Sequence, residues 1–370
     1  MEVIFVRSPY FIEVDEASQV ESKVELFIWR KGEDEPGTIP TYTLTKQAAS
    51  TTQTKNIYNI SNYAKEYIDI IYPPLNNFID EEDNNNWCYI KVKRYTAPIV
   101  GYYILLDTTT YVALNGYTNY SVGSNSSINN TEVILTSLQN NKKYKYFYPI
   151  NPSNVPYINF LIGINANEYK IRLKDFNSIP EIEEINIITN PSEEYLVKLP
   201  ITNTANPSFE NGNTFEILKD STVIFTATFI PECENKYEPL ICEFINRFGG
   251  WDFITFFKAR TQQWEVKNKE YQLLSDDVSY NTLRGESKAF NYEAKQSIKI
   301  NTGWLDEYYN ELIKDLMTSE TILLYDYETE TPSPVKLKTM STDLKTSLQD
   351  KMINYQIEFE YNYNQINNVI

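Results

Sequence analysis

The chain has 370 residues, 42% of them hydrophobic and 14% aromatic, and a formal net charge of -17 from 50 acidic and 33 basic side chains. That composition excludes a disordered chain, and its acidic field opposes sequence-blind binding to phosphate backbones. Histidine is absent, which removes the Ser-His-Asp triad, the Cys-His pair and the imidazole base.

No apolar run approaches the ~18 residues of a membrane-spanning helix. The opening "MEVIFVRSPYFIEVDE" lacks the basic-then-apolar pattern of a signal peptide. A cytoplasmic product is therefore expected, with Asn-x-Ser/Thr sequences such as Asn59-Ile60-Ser61 incidental. Cys88, Cys233 and Cys242 read as reduced thiols. Cys233 and Cys242 could pair across adjacent strands, but small apolar fillers are the favoured reading. With only 11 glycines and 17 prolines, turns must lean on Asn, Asp and Ser, as in "EEDNNNW", "GSNSSINN" and "SLQNNKK".

In chain order, "VIFVRSPYFIEV" is extended, with Pro9 marking an edge or bend. In Ser22–Gly32, Val24, Leu26 and Ile28 share one face and Glu25, Phe27 and Trp29 the other, which predicts a strand packed on both sides. "PTYTLTK" predicts another strand. Ser61 is read as a helix N-cap, followed by Tyr63/Ala64, Tyr67/Ile68 and Ile71 at helical spacing, up to Pro73-Pro74. Trp87–Tyr95 and Gly101–Leu114 return to strand chemistry.

Residues 121–142 read as a loop or linker around "EVILTSL". "YKYFYPI", "INFLIGI" and "YKIRLKDF" then predict strands, followed by extended segments punctuated by Pro180, Pro191, Pro200 and Pro207. "EILKDSTVIFTATFI" gives strands into Pro231, and "SKAFNYEAKQSIKINTG" reads as a pair. An amphipathic helix is predicted near 304–318 from Leu305, Tyr308/Tyr309, Leu312/Ile313 and Leu316/Met317. A hairpin is expected around Thr331–Pro334. At the end, Ile353, Tyr355, Ile357, Phe359, Tyr361 and Tyr363 alternate with polar residues, predicting a strand ~40 Å long that bends at a bulge or continues into a partner's sheet.

The expected fold is mainly β: tandem β-sandwich domains of immunoglobulin or fibronectin type with one or two amphipathic helices. The expected divisions are an N-terminal sandwich at 1–120, a middle β-rich segment with linkers at 121–215, and a C-terminal β domain at 216–370.

The densest motif is "NRFGGWDFITFFKA", Asn246 to Ala259. Gly249-Gly250 is a hairpin-turn signal between two strand-like runs. Trp251 reads as a core plug, and Arg247 with Asp252 as a candidate ion pair across the turn. The glycines form neither a P-loop nor a dinucleotide fingerprint. A structural turn is favoured over a catalytic site. Carboxylate clusters at Asp80–Asp83 and at Glu181, Glu183 and Glu184 could in principle serve glycoside hydrolysis, but charge runs in so acidic a chain read as solvated faces. Asp80–Asp83 lacks the ligand alternation and central glycine of an EF-hand. No catalytic, cofactor or metal residue is assigned. The 30 tyrosines suit either stacking on sugars or a protein interface.

The stretches "CEFINRFGGWDFITFFKA", "SYNTLRGESKAFNYEAKQSIKINTGWLDEYYNELIKDLMTSETILL" and "PVKLKTMSTDLKTSLQDKMINYQIEFEYNYN", together with "SPYFIEVDEASQVESKVELFIWRKG", resemble a family of virion proteins from tailed phages of Bacteroidetes, including crAss-like phages. The resemblance covers most of the chain except about 121–215. It implies a tail, collar or ring component located in the virion. The implied partners are copies of itself and neighbouring portal, tail, collar or fibre proteins, without membrane or direct nucleic-acid recognition. It carries over no catalytic residue. Tyr308, Tyr309, Tyr361 and Tyr363 are the candidate inter-subunit residues, since helix 304–318 and the terminal strand could form a seam. A glycan-binding adhesin is the alternative, and a carboxylate depolymerase a third reading.

Overall fold

The computed structural model describes residues 1–50, 52, 54–70, 86–129, 133–146, 157–163, 166–175, 182–189, 191, 195–200, 213–231, 236–273, 283, 285–326, 332–339, 341 and 352–366. Within them the fold is mainly β, arranged in several sheets with two α-helices. Cys233 and Asp80–Asp83 lie outside the described residues.

The first sheet runs β4 (Tyr42–Gln47), β3 (Glu21–Trp29), β6 (Trp87–Ile99), β7 (Tyr102–Leu114), β1 (Glu2–Phe5) and β8 (Ser127–Asn129). Its pairs are antiparallel except β1 with β7. Val24, Leu26 and Ile28 lie on its inner face with Ile90, Val92 and Ala113. A second layer covers them: the pair β2 (Phe11–Val14) and β5 (Asn56–Asn59), with the helix α1 (Ser61–Lys65). On β3's other face Phe27 is buried and Trp29 stacks on Tyr89 at 5.2 Å. That strand is therefore packed on both sides at its C-terminal end.

Helix α1 is far shorter than the periodicity predicts, and Ile60, not Ser61, precedes it. The Ser61 hydroxyl is used elsewhere: it accepts from the Tyr10 N–H at 2.9 Å and donates to the Ser8 carbonyl at 2.7 Å. A residue with cap chemistry thus pins the Pro9 bend between β1 and β2.

Two further sheets follow. β14 (Tyr195–Pro200), β11 (Tyr157–Ile162) and β9 (Val133–Ile134) form one. β10 (Lys142–Tyr146), β16 (Thr222–Pro231), β15 (Asn213–Lys219), β12 (Glu168–Asp175) and β13 (Ile182–Thr189) form the other. Positions 215 and 216 lie inside β15, whose neighbours β12 and β16 come from both sides of that point. The β15–β16 turn uses positive φ at Asp220 and Ser221. The described non-glycine residues with positive φ are all Asn, Asp or Ser, whose short polar side chains tolerate that region.

The largest sheet runs β18 (Trp251–Phe256), β17 (Leu240–Ile245), β22 (Ile322–Asp326), β23 (Ser333–Leu337), β25 (Gln356–Tyr361), β20 (Ser287–Asn301) and β19 (Thr261–Gln272). The segment read as a pair from sequence is the single long strand β20, and its partner is β19. The helix α2 is Tyr309–Thr318; Leu305 and Asp306 instead form a short strand, β21, paired with β24 (Met352–Ile353). The long terminal strand is therefore interrupted. At the break Tyr355 N–H donates to Thr302 Oγ1 at 2.9 Å, and Thr302 N–H donates to the Tyr355 carbonyl at 2.9 Å. Its dry face survives the interruption: Ile353, Tyr355, Ile357, Phe359 and Tyr361 are all buried.

One apolar core runs from Leu138 to Tyr361 and joins both of these later regions. A smaller cluster of Val3, Phe5, Trp87, Val112 and Leu114 with Leu135, Leu161 and Leu196 fuses the first sheet to the β9–β11–β14 sheet. At ~2 kcal/mol per buried large apolar side chain, such a seam resists hinging.

Candidate functional site: the junction at the Asn246–Asp252 turn

The turn between β17 and β18 is a five-residue loop, Asn246–Gly250, organised by the side chain of Asn246. Its Oδ1 accepts from the N–H groups of Phe248 at 2.9 Å and Gly250 at 3.1 Å. Its Nδ2 donates to the Leu135 carbonyl at 2.9 Å and to Asp252 Oδ2 at 2.8 Å. An asparagine side chain standing in for backbone is a common turn device. Gly249 has φ +85°, where a side chain is strained. Gly250 has an ordinary φ but no room: a Cβ there would sit 2.7 Å from Leu135 Cβ.

The loop is a three-way junction. Toward the N-terminal sheet, Tyr117 N–H donates to the Arg247 carbonyl at 2.7 Å. A Cβ on Gly249 would lie 2.9 Å from the Asn115 nitrogen, and one on Gly116 would lie 2.9 Å from the Phe248 carbonyl carbon. Phe248 packs on Phe5, with ring centroids 6.4 Å apart. Beside it, Arg7 donates to the Thr318 carbonyl at 3.1 Å and pairs with Glu320 at 3.2 Å. Tyr117 Oη and Thr318 Oγ1 are 2.6 Å apart.

Toward the middle sheets, Asp252 is fully buried at the start of β18. Its oxygens accept from the Thr136 hydroxyl, the Ser137 N–H at 2.6 Å and Asn246 Nδ2. Burial pushes its carboxyl above the ordinary range, while these donors pull it back. Asn159 Nδ2 donates to the Trp251 carbonyl at 2.8 Å. Trp251 itself is buried with Ile241, Ile245, Leu323 and Tyr325.

Toward α2, Arg247 pairs with Glu311 at 3.0 Å and lies 3.8 Å from Asp315. The expected Arg247–Asp252 ion pair is thus replaced: Asp252 points inward to neutral donors, and Arg247 turns to the helix. The Ser137 hydroxyl donates to Asp315 while its N–H serves Asp252, so one serine bridges two buried carboxylates. Burial raises the Asp315 carboxyl as well, against Ser137 and Arg247.

The four candidate interface tyrosines separate. Tyr309 is buried, and its hydroxyl accepts from Lys145 N–H at 2.6 Å. Tyr361 is also buried in the main core. Both are therefore covered within the chain itself, because their helix and strand faces are the dry ones. Tyr308 is part-buried, stacking on Tyr309 at 5.4 Å, with its one hydroxyl proton directed between two acceptors, the Lys143 carbonyl and Asp306 Oδ2. Tyr363 is exposed.

The structure adds Asn246, Thr136, Ser137, Asp315, Arg7 and the Asn115–Tyr117 segment to the junction. Only Asn246 had a local signal, as a polar residue opening a glycine-bearing loop. Elsewhere, Cys88 and Cys242 are free and buried. Burial pushes the Cys88 thiol up to about 12. Glu184 pairs with Arg172 at 2.7 Å, while Glu181 lies outside the described residues. Among the described residues, no group of three or more Cys, Asp or Glu is placed to hold a metal ion, and no helix is long and apolar enough to cross a membrane. A cavity of about 10 Å³, lined by Leu138, Tyr144, Phe253, Tyr309 and Leu312 among others, has space for roughly one water.

No family model matches the chain, and no curated protein matches it. Among solved structures, it is similar to the calcium binding domain CBD12 of CALX1.1, at 8% identity and a TM-score of 0.16, over 57% of this chain and 74% of that one. A likeness that weak carries no argument about function.

Proposed function

We propose that this chain is a non-enzymatic structural component of a tailed-phage virion, assembling as a symmetric ring or adaptor in the tail or neck. One observation carries the reading: two long β-hairpins, β6–β7 and β19–β20, expose large apolar side chains that a lone chain has no reason to leave in water. On β6–β7 these include Ile99, Val100, Tyr102 and Leu105; on β19–β20 they include Trp264, Val266, Tyr271 and Phe290. Contiguous exposed apolar surface marks an interaction site.

The sequence resemblance to phage virion proteins supplies the biological setting. The junction supports the reading from another side. Its buried carboxylates are engaged by hydroxyl, amide and main-chain donors that tie three regions together, an arrangement suited to transmitting load. The test is the copy number of the chain in purified virions, by quantitative mass spectrometry against the portal protein. A fixed ratio near one or one-half is expected; absence from the particle would refute the proposal.

A further inference from the structure

Strand β19 forms the outer edge of the seven-stranded sheet, and all twelve of its residues are exposed. Register explains what it displays. Gln262 pairs with Ile298, Trp264 with Gln296 and Val266 with Ala294. Paired residues share a face, as do residues two apart on one strand. Ile298 and Ala294 are buried, whereas Trp264 is 57% and Val266 56% exposed. The dry face of the core thus continues outward along the hairpin, beyond the body that covers it.

Edge strands are normally guarded by bulges, lysines or short length. The distal half of β19 has such guards: the register shifts between Lys267 and Lys269, and both are lysines. The proximal half, Thr261–Val266, has one charged residue, Glu265. It is long enough to accept an added strand.

Charge indicates the occupant. Strands β19 and β20 carry five lysines and three glutamates, a net +2 in a chain of net -17. Two copies of so acidic a protein repel each other across most of their surfaces, but not here. A second surface has the same property. Thr96–Leu106, the tip of β6–β7, has no charged residue over eleven positions, with Ile99 69% and Tyr102 63% exposed. The charges that flank it in sequence, Arg94 and Asp107, neutralise each other, with Arg94 Nε 2.6 Å from Asp107 Oδ1. The charges that reach it from β3 are one of each sign: Glu21 accepts from the Gly101 N–H at 3.3 Å and Lys23 Nζ lies 4.5 Å over the Tyr103 ring.

A hairpin of ~40 Å by ~10 Å offers roughly 400 Å² per face. That is about half of the ~800 Å² that each partner contributes to a standard interface, so one face with the Thr261–Val266 edge suits a contact repeated around an assembly.

The geometry points to a head-to-tail self-contact in which the β19–β20 arm of one copy docks against the β6–β7 tip of a second copy of this chain, using the Thr261–Val266 edge. Because arm and tip are different surfaces, the contact is heterologous and propagates into a ring or open filament. This inference rests on the assembly reading above and specifies its interface.

The experiment uses the purified full chain and two variants altered only at exposed positions: Trp264→Glu with Val266→Glu in the arm, and Ile99→Asp with Leu105→Asp in the tip. Mass is measured by sedimentation velocity across a concentration series, with circular dichroism checking that each variant melts like the parent. Self-association of the parent is expected, weakened at least 100-fold in either variant. An equimolar mixture of the two should give dimers and nothing larger, since one arm–tip pair survives. Oligomers unaffected by both variants would overturn this interface while leaving the ring proposal intact. Loss with the arm variant alone would also overturn it, showing arm-to-arm contact. A parent that is monomeric throughout, and missing from virions, would remove the assembly reading itself. Flotation of the parent, but not the tip variant, with phosphatidylcholine vesicles would overturn the tip's assignment in favour of a lipid surface.

Discussion

The main-chain N–H of Tyr117, just beyond the first sheet, donates to the carbonyl of Arg247 at 2.7 Å. This bond joins segments 130 residues apart in sequence and seats the Asn246–Gly250 loop against the N-terminal sheet. The contact is backbone to backbone, so it depends on how closely the two chains approach, and glycine sets that distance on both sides.

Gly250→Val is expected to destabilise by about 2–4 kcal/mol, since any Cβ at this position meets Leu135 and a branched one also needs volume in a packed site. Gly249→Ala should cost about 1–2 kcal/mol through its positive φ and the Asn115 contact. Urea midpoints, with soluble yield as a control, measure both. A Gly250→Val protein as stable as the parent would refute the close-approach account.

Asp252→Ala should cost about 3 kcal/mol, because it leaves the Ser137 N–H, the Asn246 amide and the Thr136 hydroxyl without their buried acceptor. Asp252→Asn should cost less than half as much. Its amide oxygen can accept from Ser137 and Asn246, with its NH2 turned toward the Thr136 hydroxyl.

The same pair of proteins has a pH signature. Burial raises the folded-state pKa of Asp252 above its unfolded value, so the folded protein holds that proton more tightly. Stability from this group is present below the unfolded pKa, near ~3.9, and is lost as pH rises through the folded value. Asp315 has the same sign. Relative to Asp252→Asn, the parent is therefore expected to lose stability as pH rises from about 4. Urea midpoints of both proteins across that rise check it; parallel profiles would show that Asp252 titrates normally.

Tyr309→Phe should lower stability by about 1 kcal/mol, because Lys145 N–H loses this acceptor in a part-buried site. It should leave the oligomeric state unchanged in sedimentation velocity. An altered oligomer with unchanged melting would return Tyr309 to the interface.

Arg247→Ala should cost about 1 kcal/mol, from the part-exposed Glu311 pair and the weaker approach to Asp315. A double-mutant cycle with Glu311→Ala isolates their coupling, expected at roughly 0.5 kcal/mol and reduced by salt.

The strands with strict alternation were readable because a period of two dictates which side chains face the core. Val24–Leu26–Ile28 and Ile353–Phe359 are the clearest cases, and both faces hold. The turn at Gly249-Gly250 was readable because glycine's freedom is local. Strand β19 was not: with every residue exposed, "TQQWEVKNKEYQ" has no dry face, and only its pairing with β20 makes it a strand. Helix α1 is shorter than its periodicity predicts because Ser61 is spent on the Pro9 bend and Tyr63 packs on Tyr42 of β4, with ring centroids 4.9 Å apart.

Composition and local pattern determined that the chain folds, is mainly β, turns on Asn, Asp and Ser, and has no histidine chemistry. Those are consequences of local stereochemistry and residue count. Tertiary structure alone decided that Arg247 reaches α2, that Asp252 faces Thr136 and Ser137, and that two hairpins project apolar residues into water. Partners 64 to 116 residues apart are chosen by packing, which no local pattern encodes.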